Sequence, residues 1–169
     1  NGCKDMHSVA YVMQDSAHIG ILTVKETLYF AAELRLGTSV TAEKKNERVS
    51  KIMDMLGLSR IANSILGTSN VRGISGGQLK RVSIGVEIVH LPDLMFLDEP
   101  TKGLDSSTSW EVMSAVRNLA NQNRTVLCTI HQPSADTYSL FNSLLLLAAG
   151  KVIYYGDAAA VRSEEHTSE

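Results

Sequence analysis

Three observations predict an α/β fold built on a parallel sheet. Leu94-Met95-Phe96-Leu97 is continuously apolar and closes on Asp98-Glu99-Pro100, the pattern of a strand buried on both sides that delivers acids to the carboxyl edge of a parallel sheet. A second apolar run at 125–130 follows a helical stretch at about 107–121, which reads as strand, crossover helix, parallel strand. Ahead of both lies Gly73-Ile74-Ser75-Gly76-Gly77-Gln78-Leu79-Lys80-Arg81, a glycine-rich helix start suited to binding anions.

Taken in order, Val9-Ala10-Tyr11-Val12-Met13 reads as the first strand, reached almost at once from Asn1, which suggests that the natural protein continues upstream. Thr23-Val24-Lys25-Glu26 has the form of a capping box, and Val24, Leu28, Ala31 and Leu34 then predict a helix over about 24–35, before Gly37. The next helix sets Val49, Ile52, Met53 and Leu56 on one face and ends near Gly57. Lys44, Lys45, Arg48 and Lys51 read as its solvated face, the alternative being a phosphate or lipid-headgroup contact. Ser75 and Gln78 make a second capping box, ahead of Leu79, Val82, Val86 and Val89, and Pro92 stops the helix. Glycine costs about 1 kcal/mol inside a helix, so Gly76 and Gly77 make sense where a ligand approaches the backbone N–H groups closely. After His131-Gln132-Pro133-Ser134 a short helix to about Phe141 is expected, then strands at 143–147 and 151–155 joined by a turn at Ala149-Gly150. Residues 162–169 lack apolar side chains and read as a tail; the sequence has no internal repeat.

An apolar content of 44% with 20% charged residues fits a soluble domain with a real core, and a net charge of -2 argues against a general nucleic-acid or anionic-membrane binder. The longest apolar run, 144–149, is far short of the roughly 20 residues a membrane helix needs, and no signal peptide is evident, so the chain is not expected to span a membrane by itself. Cys3 and Cys128 match no metal-ligand spacing; Cys128 reads as a buried strand thiol, in keeping with a reducing compartment.

At the end of its strand, the pair Asp98 and Glu99 can serve a nucleotide site, one acid organising a metal-water shell while the other polarises an attacking water; the plainer reading is two solvated acids before a turn. His131, after the strand at 125–130, emerges at the same edge and can donate to a terminal phosphate or be a structural histidine. Gln14 offers an amide oxygen to a metal or its water, or simply caps its strand. Asp105 caps the helix that follows, a role compatible with a contact across a dimer interface. His7, His18, His90 and His166 are assigned to structure or solvent.

This order of motifs resembles the nucleotide-binding domain of ATP-binding cassette transporters. Tyr11-Val12-Met13-Gln14-Asp15 looks like the Q-loop, Ile74-Ser75-Gly76-Gly77-Gln78 the signature, residues 94–99 the Walker B strand, Gly103-Leu104-Asp105 the D-loop and His131 the switch histidine. The segments Leu22-Thr23-Val24-Lys25-Glu26-Thr27-Leu28, Lys80-Arg81-Val82-Ser83-Ile84-Gly85 and Thr129-Ile130-His131-Gln132-Pro133-Ser134 are similar to the white/scarlet, or G, subfamily of half-size transporters. The resemblance covers about residues 9–157. It implies a partial P-loop NTPase (RecA-like) cassette fold at 1–157, with a helical signature subdomain at about 20–91 and a divergent polar tail at 158–169.

The same resemblance implies ATP and Mg2+ as ligands, with Asp98 positioning the metal shell, Glu99 polarising the hydrolytic water, Gln14 sensing the metal and His131 contacting the γ-phosphate. Ser75, Gly76, Gly77 and Gln78 would act in trans on nucleotide held by a second nucleotide-binding domain, and Asp105 would couple the halves. A transmembrane domain of the same protein, a cytoplasmic membrane face, export of lipids, sterols or other small hydrophobic molecules, and no nucleic-acid partner are likewise implied.

Some residues depart from the family pattern. No G-x-x-x-x-G-K-[ST] phosphate loop (Walker A) occurs in the 169 residues, which predicts poor hydrolysis by this chain alone. In the family the strand feeding that loop is central, so its loss is expected to expose apolar faces. Lys102 stands where a small residue is common, either altering closure or pointing to water, and Gln78-Leu79 replaces the subfamily's Glu-Arg. The alternative reading is a non-catalytic truncated product that misfolds or interferes with intact cassettes. A chromosome-maintenance or repair ATPase would carry a long heptad-rich insertion between Gln14 and Ser75, and that interval holds only short helical patterns.

Overall fold

The structure, a computed structural model, describes residues 9–68 and 70–164. Cys3, His7, His166 and the last part of the expected tail, residues 165–169, lie outside them. The chain divides after His131 into two units.

The first unit contains strand β1 (Val9–Val12), helices α1 (Val24–Leu36), α2 (Ala42–Met55) and α3 (Gly76–Ile88), strand β2 (Leu94–Asp98), helix α4 (Ser106–Ala120) and strand β3 (Thr125–Thr129), with a 3-10 turn at Ser59–Ile61. The strands form a parallel sheet in the order β1-β2-β3, with Val12 opposite Leu97 and Asp98 opposite Thr129. The parallel pairing is as expected, but burial on both sides is not. Ala10, Val12, Met95 and Leu97 are buried, whereas on the other face Tyr11 is 54% and Leu127 51% exposed. The helices that pack on the sheet are α3, against β1, and α4, against β3, and they cover one face.

Both capping boxes form. Thr23 Oγ1 accepts the Glu26 N–H at 3.2 Å while Glu26 accepts the Thr23 N–H at 2.8 Å, which satisfies two donors at the start of α1. The buried stripe of that helix is Val24, Leu28, Ala31 and Ala32; Leu34, expected on it, is 70% exposed because it lies off the stripe on the opposite flank from Ala32. In α2 the apolar face is as expected, but its bases are not all solvated. Lys45 is buried, with its ammonium 2.6 Å from Glu33 of α1, and Arg48 donates to the Val89 carbonyl at 3.1 Å. Only Lys51 makes the exposed i,i+4 pair, with Glu47, that the pattern suggests.

Helices α1, α2 and α3 share one core around Gly85. A Cβ there would meet Leu28 Cδ2 at 2.7 Å, Leu56 Cδ1 at 3.1 Å and Ile52 Cγ2 at 3.4 Å, so the glycine lets three elements converge. The buried face of α4, the helix expected at about 107–121, carries Val112, Met113, Ala115, Val116 and Leu119.

The second unit is a hairpin of β4 (Ser143–Ala148) and β5 (Lys151–Asp157) with two short helices, α5 (Ala135–Tyr138) and α6 (Ala158–Glu164). Ala149 and Gly150, at φ 49° and 73°, make the expected tight turn. Residues 158–164 are helical where a tail was expected, and Tyr138 Oη of α5 donates to the Ala158 carbonyl at the start of that helix at 2.9 Å. No helix among the described residues is long and apolar enough to cross a membrane.

Candidate nucleotide site

Parallel pairing fixes where the chemistry gathers. Because β1, β2 and β3 run the same way, Gln14, the acids Asp98 and Glu99, and His131 all leave the sheet at its carboxyl edge. A single threonine joins the two acids. Thr129 Oγ1 donates to Asp98 Oδ1 at 2.7 Å and accepts the Glu99 N–H at 3.0 Å, while Tyr11 Oη donates to Asp98 Oδ2 at 3.4 Å. Neither Thr129 nor Tyr11 stood out in the sequence as a site residue. Their roles follow from the registers Asp98↔Thr129 and Tyr11↔Phe96, and the prior signal was a hydroxyl near the end of each neighbouring strand.

Glu99 sits at φ 42°, in the left-handed region that costs a non-glycine residue about 1–2 kcal/mol, and its N–H bond to Thr129 helps hold it there. The reversal continues through Lys102 N–H to the Glu99 carbonyl at 3.1 Å. Lys102 then places its ammonium 3.4 Å from Glu99 Oε2 while remaining 59% exposed, so it faces both the acid and water.

At the signature turn, Ser75 Oγ accepts the Gln78 N–H at 3.3 Å and Gln78 Oε1 accepts the Ser75 N–H at 2.9 Å. The two glycines have different surroundings. A Cβ on Gly76 would meet nothing closer than Leu104 Cδ2 at 3.5 Å, so nothing in this chain requires glycine there, and its exposed backbone opens α3 to an approaching group. A Cβ on Gly77 would lie 2.1 Å from Thr108 Cγ2, so within the chain that glycine is already required by the contact between α3 and α4.

Asp105 is the N-cap of α4. Its carboxylate accepts the Thr108 N–H at 2.9 Å and the Thr108 hydroxyl at 2.8 Å, bonds that hold its pKa below the ordinary value, and they orient the Thr108 methyl onto Gly77. Gln14 is half-buried, and its carbonyl accepts from Lys80 of α3 at 2.6 Å. His131 is exposed just past β3. Cys128, expected to be buried, is half-buried in β3, and that burial pushes its thiol up to about 11.

Thus Asp98 and Glu99 share one bridging hydroxyl, Gln14 and His131 flank them on the same edge, and Gln14 and Asp105 each make contact with α3, the helix that begins at the signature turn. Among the described residues no cluster of three or more His, Cys, Asp or Glu side chains forms a preformed metal cage.

Comparison with known proteins adds a lineage to this geometry. The family profile described as ABC transporter matches residues 3–102. A mouse protein, "Broad substrate specificity ATP-binding cassette transporter ABCG2", is 49% identical over 148 residues, which are 88% of this chain and 22% of that protein. ABC transporter G family member 1 of Dictyostelium discoideum is 48% identical over 150 residues, 88% of this chain and 19% of its own length. ABC transporter G family member 19 of Arabidopsis thaliana is 46% identical over 152 residues, 90% and 21% respectively. The chain therefore spans about a fifth of the length of the curated relatives it matches.

Proposed function

We propose, because this chain belongs to the ABC transporter family, that it works as part of the ATP-binding domain of a G-type transporter and takes part in hydrolysing ATP. The observation that carries the reading is the Thr129 bridge, which ties the Asp98 carboxylate to the Glu99 backbone N–H and so sets two acids with different jobs at one strand end. Asp98, with both oxygens anchored by hydroxyls, is the fixed acid; each oxygen keeps lone pairs for an outer water shell. Glu99, turned out of the strand by its left-handed backbone, is the acid that takes a proton from attacking water.

The donor set fits Mg2+. Oxygen ligands alone are offered, and lacking a cage among the described residues suits a cation held mainly by phosphates and water. Asp98 and the Gln14 amide oxygen would hold its water shell, and the ion, when bound, neutralises phosphate charge. His131 donates to the terminal phosphate, and the open start of α3 at Ser75, Gly76, Gly77 and Gln78 offers backbone donors to nucleotide carried by a second nucleotide-binding domain. On this reading the partners are that second domain and a transmembrane domain, at the cytoplasmic face of a membrane. On the same reading the cargo is a lipid, sterol or other small hydrophobic molecule. Nucleic acid is not a partner, in keeping with a net charge of -2.

In the full-length polypeptide that carries this sequence, Glu99→Gln is expected to lower ATP turnover by about 100-fold or more, the scale of a lost general base, while ATP affinity stays within about threefold. A variant that turns over ATP at the unmodified rate would remove Glu99 from the reaction.

A further inference from the structure

Helix α3 also holds the segment after β1 at two points. Residues 13–18 have no regular secondary structure, so their polar groups must find partners outside a ladder. Lys80 supplies one, its ammonium donating to the Gln14 carbonyl at 2.6 Å and reaching the Met13 carbonyl at 3.4 Å. One turn further on, Ser83 supplies the other. Its hydroxyl donates to the Leu79 carbonyl at 3.1 Å, which leaves its oxygen to accept from His18 Nε2 at 2.7 Å. Positions 80 and 83 lie on one helix face, so a single face carries both attachments.

A surface lysine ordinarily keeps its head in water. Lys80 is half-buried instead: burial lowers its pKa, with the charges of Asp15 and Asp98 acting in the opposite direction, and its ammonium is directed at backbone carbonyls. Arg81, the next residue, pairs instead with Glu111 of α4 at 3.4 Å, so α3 is tied to the two elements from separate sides.

We infer that Lys80 and Ser83 are positioning residues, which tether residues 13–18 to α3 so that Gln14 and the signature turn at 75–78 move as one body. The inference rests on the reading of Gln14 and the signature turn as parts of an ATP site.

Hydrogen exchange by mass spectrometry on the full-length polypeptide tests the tether without reference to activity. Lys80→Gln is expected to speed exchange at residues 14–18 by about tenfold, the scale of one lost charge-assisted bond, and Ser83→Ala, separately, by about fivefold, the scale of one lost neutral bond. Lys80→Arg, which keeps a cationic donor, is expected to restore protection, and Lys51→Gln to change nothing. Unchanged exchange at β2 reports that each variant is folded. In ATP turnover Lys80→Gln is expected to lower kcat by about tenfold with KM within twofold, and Lys80→Arg to recover most of the loss.

Unaltered exchange at 14–18 in both folded variants would overturn the tether. Faster exchange with unchanged kcat would overturn its positioning role. Absence of ATP turnover in the unmodified polypeptide would instead defeat the reading of the site, with the exchange result still deciding the tether.

Discussion

At the scale of single residues, His18 shows how a side chain first assigned to structure or solvent acquires a specific job. It is half-buried against Ser83, and burial, followed by the charge of Lys80, lowers its pKa below 6.5. The neutral ring is therefore the form the fold keeps. An unfolded chain takes up the proton first as pH falls, so the stability His18 contributes is present above about 6.5 and is lost as pH drops from there toward its lowered folded value. Thermal unfolding between pH 7.5 and 5.5 is expected to show a smaller fall in midpoint for His18→Gln than for the unmodified protein; equal falls would mean that His18 does not titrate with folding. Residue roles of this kind were poorly legible in the sequence, because each depends on a partner brought in by tertiary structure. Thr129 is a site residue only through its register with Asp98, and Lys45 is buried only because Glu33 of α1 meets it. By contrast Asp98 and Glu99 were legible, since an apolar strand ending in acids carries its own signal.

At the scale of elements, caps and turns were read correctly because both partners of each lie within four residues. Thr23 with Glu26, Ser75 with Gln78 and Asp105 with Thr108 are all local. Packing between elements was not legible, and Gly77 is the instructive case. Ordinarily Gly→Ala inside a helix gains up to about 1 kcal/mol. Here the new Cβ would lie 2.1 Å from Thr108 Cγ2, and Thr108 cannot easily turn away because Asp105 holds both its N–H and its hydroxyl. Gly77→Ala is accordingly expected to destabilise by about 1–3 kcal/mol, the usual cost of overpacking. Thr108→Ser removes the methyl and keeps the hydroxyl, and in that background the alanine should be neutral or mildly stabilising. Chemical denaturation of the four proteins measures the coupling. An equal penalty in both backgrounds would place the clash elsewhere.

At the scale of the whole molecule, the question is how much of an ATP site these residues supply. The tri- or tetra-anion ATP needs a cradle of clustered donors, yet the strand ends described bring two acids with Gln14 and a single histidine, His131, and the lysines near them are already engaged: Lys80 with backbone carbonyls, Lys102 with Glu99. The opening turn of α3 does offer donors, but on the proposed reading they serve nucleotide carried by another domain. No G-x-x-x-x-G-K-[ST] loop occurs in the 169 residues to offset this balance. Calorimetric titration of Mg-ATP into the 169-residue chain, with circular dichroism to establish that it is folded, is therefore expected to show no binding in the low-micromolar range, whereas the full-length polypeptide binds. Low-micromolar binding by the folded 169-residue chain would mean that its strand-end residues and the α3 turn form a complete phosphate cradle, and the division of labour between two domains would have to be abandoned.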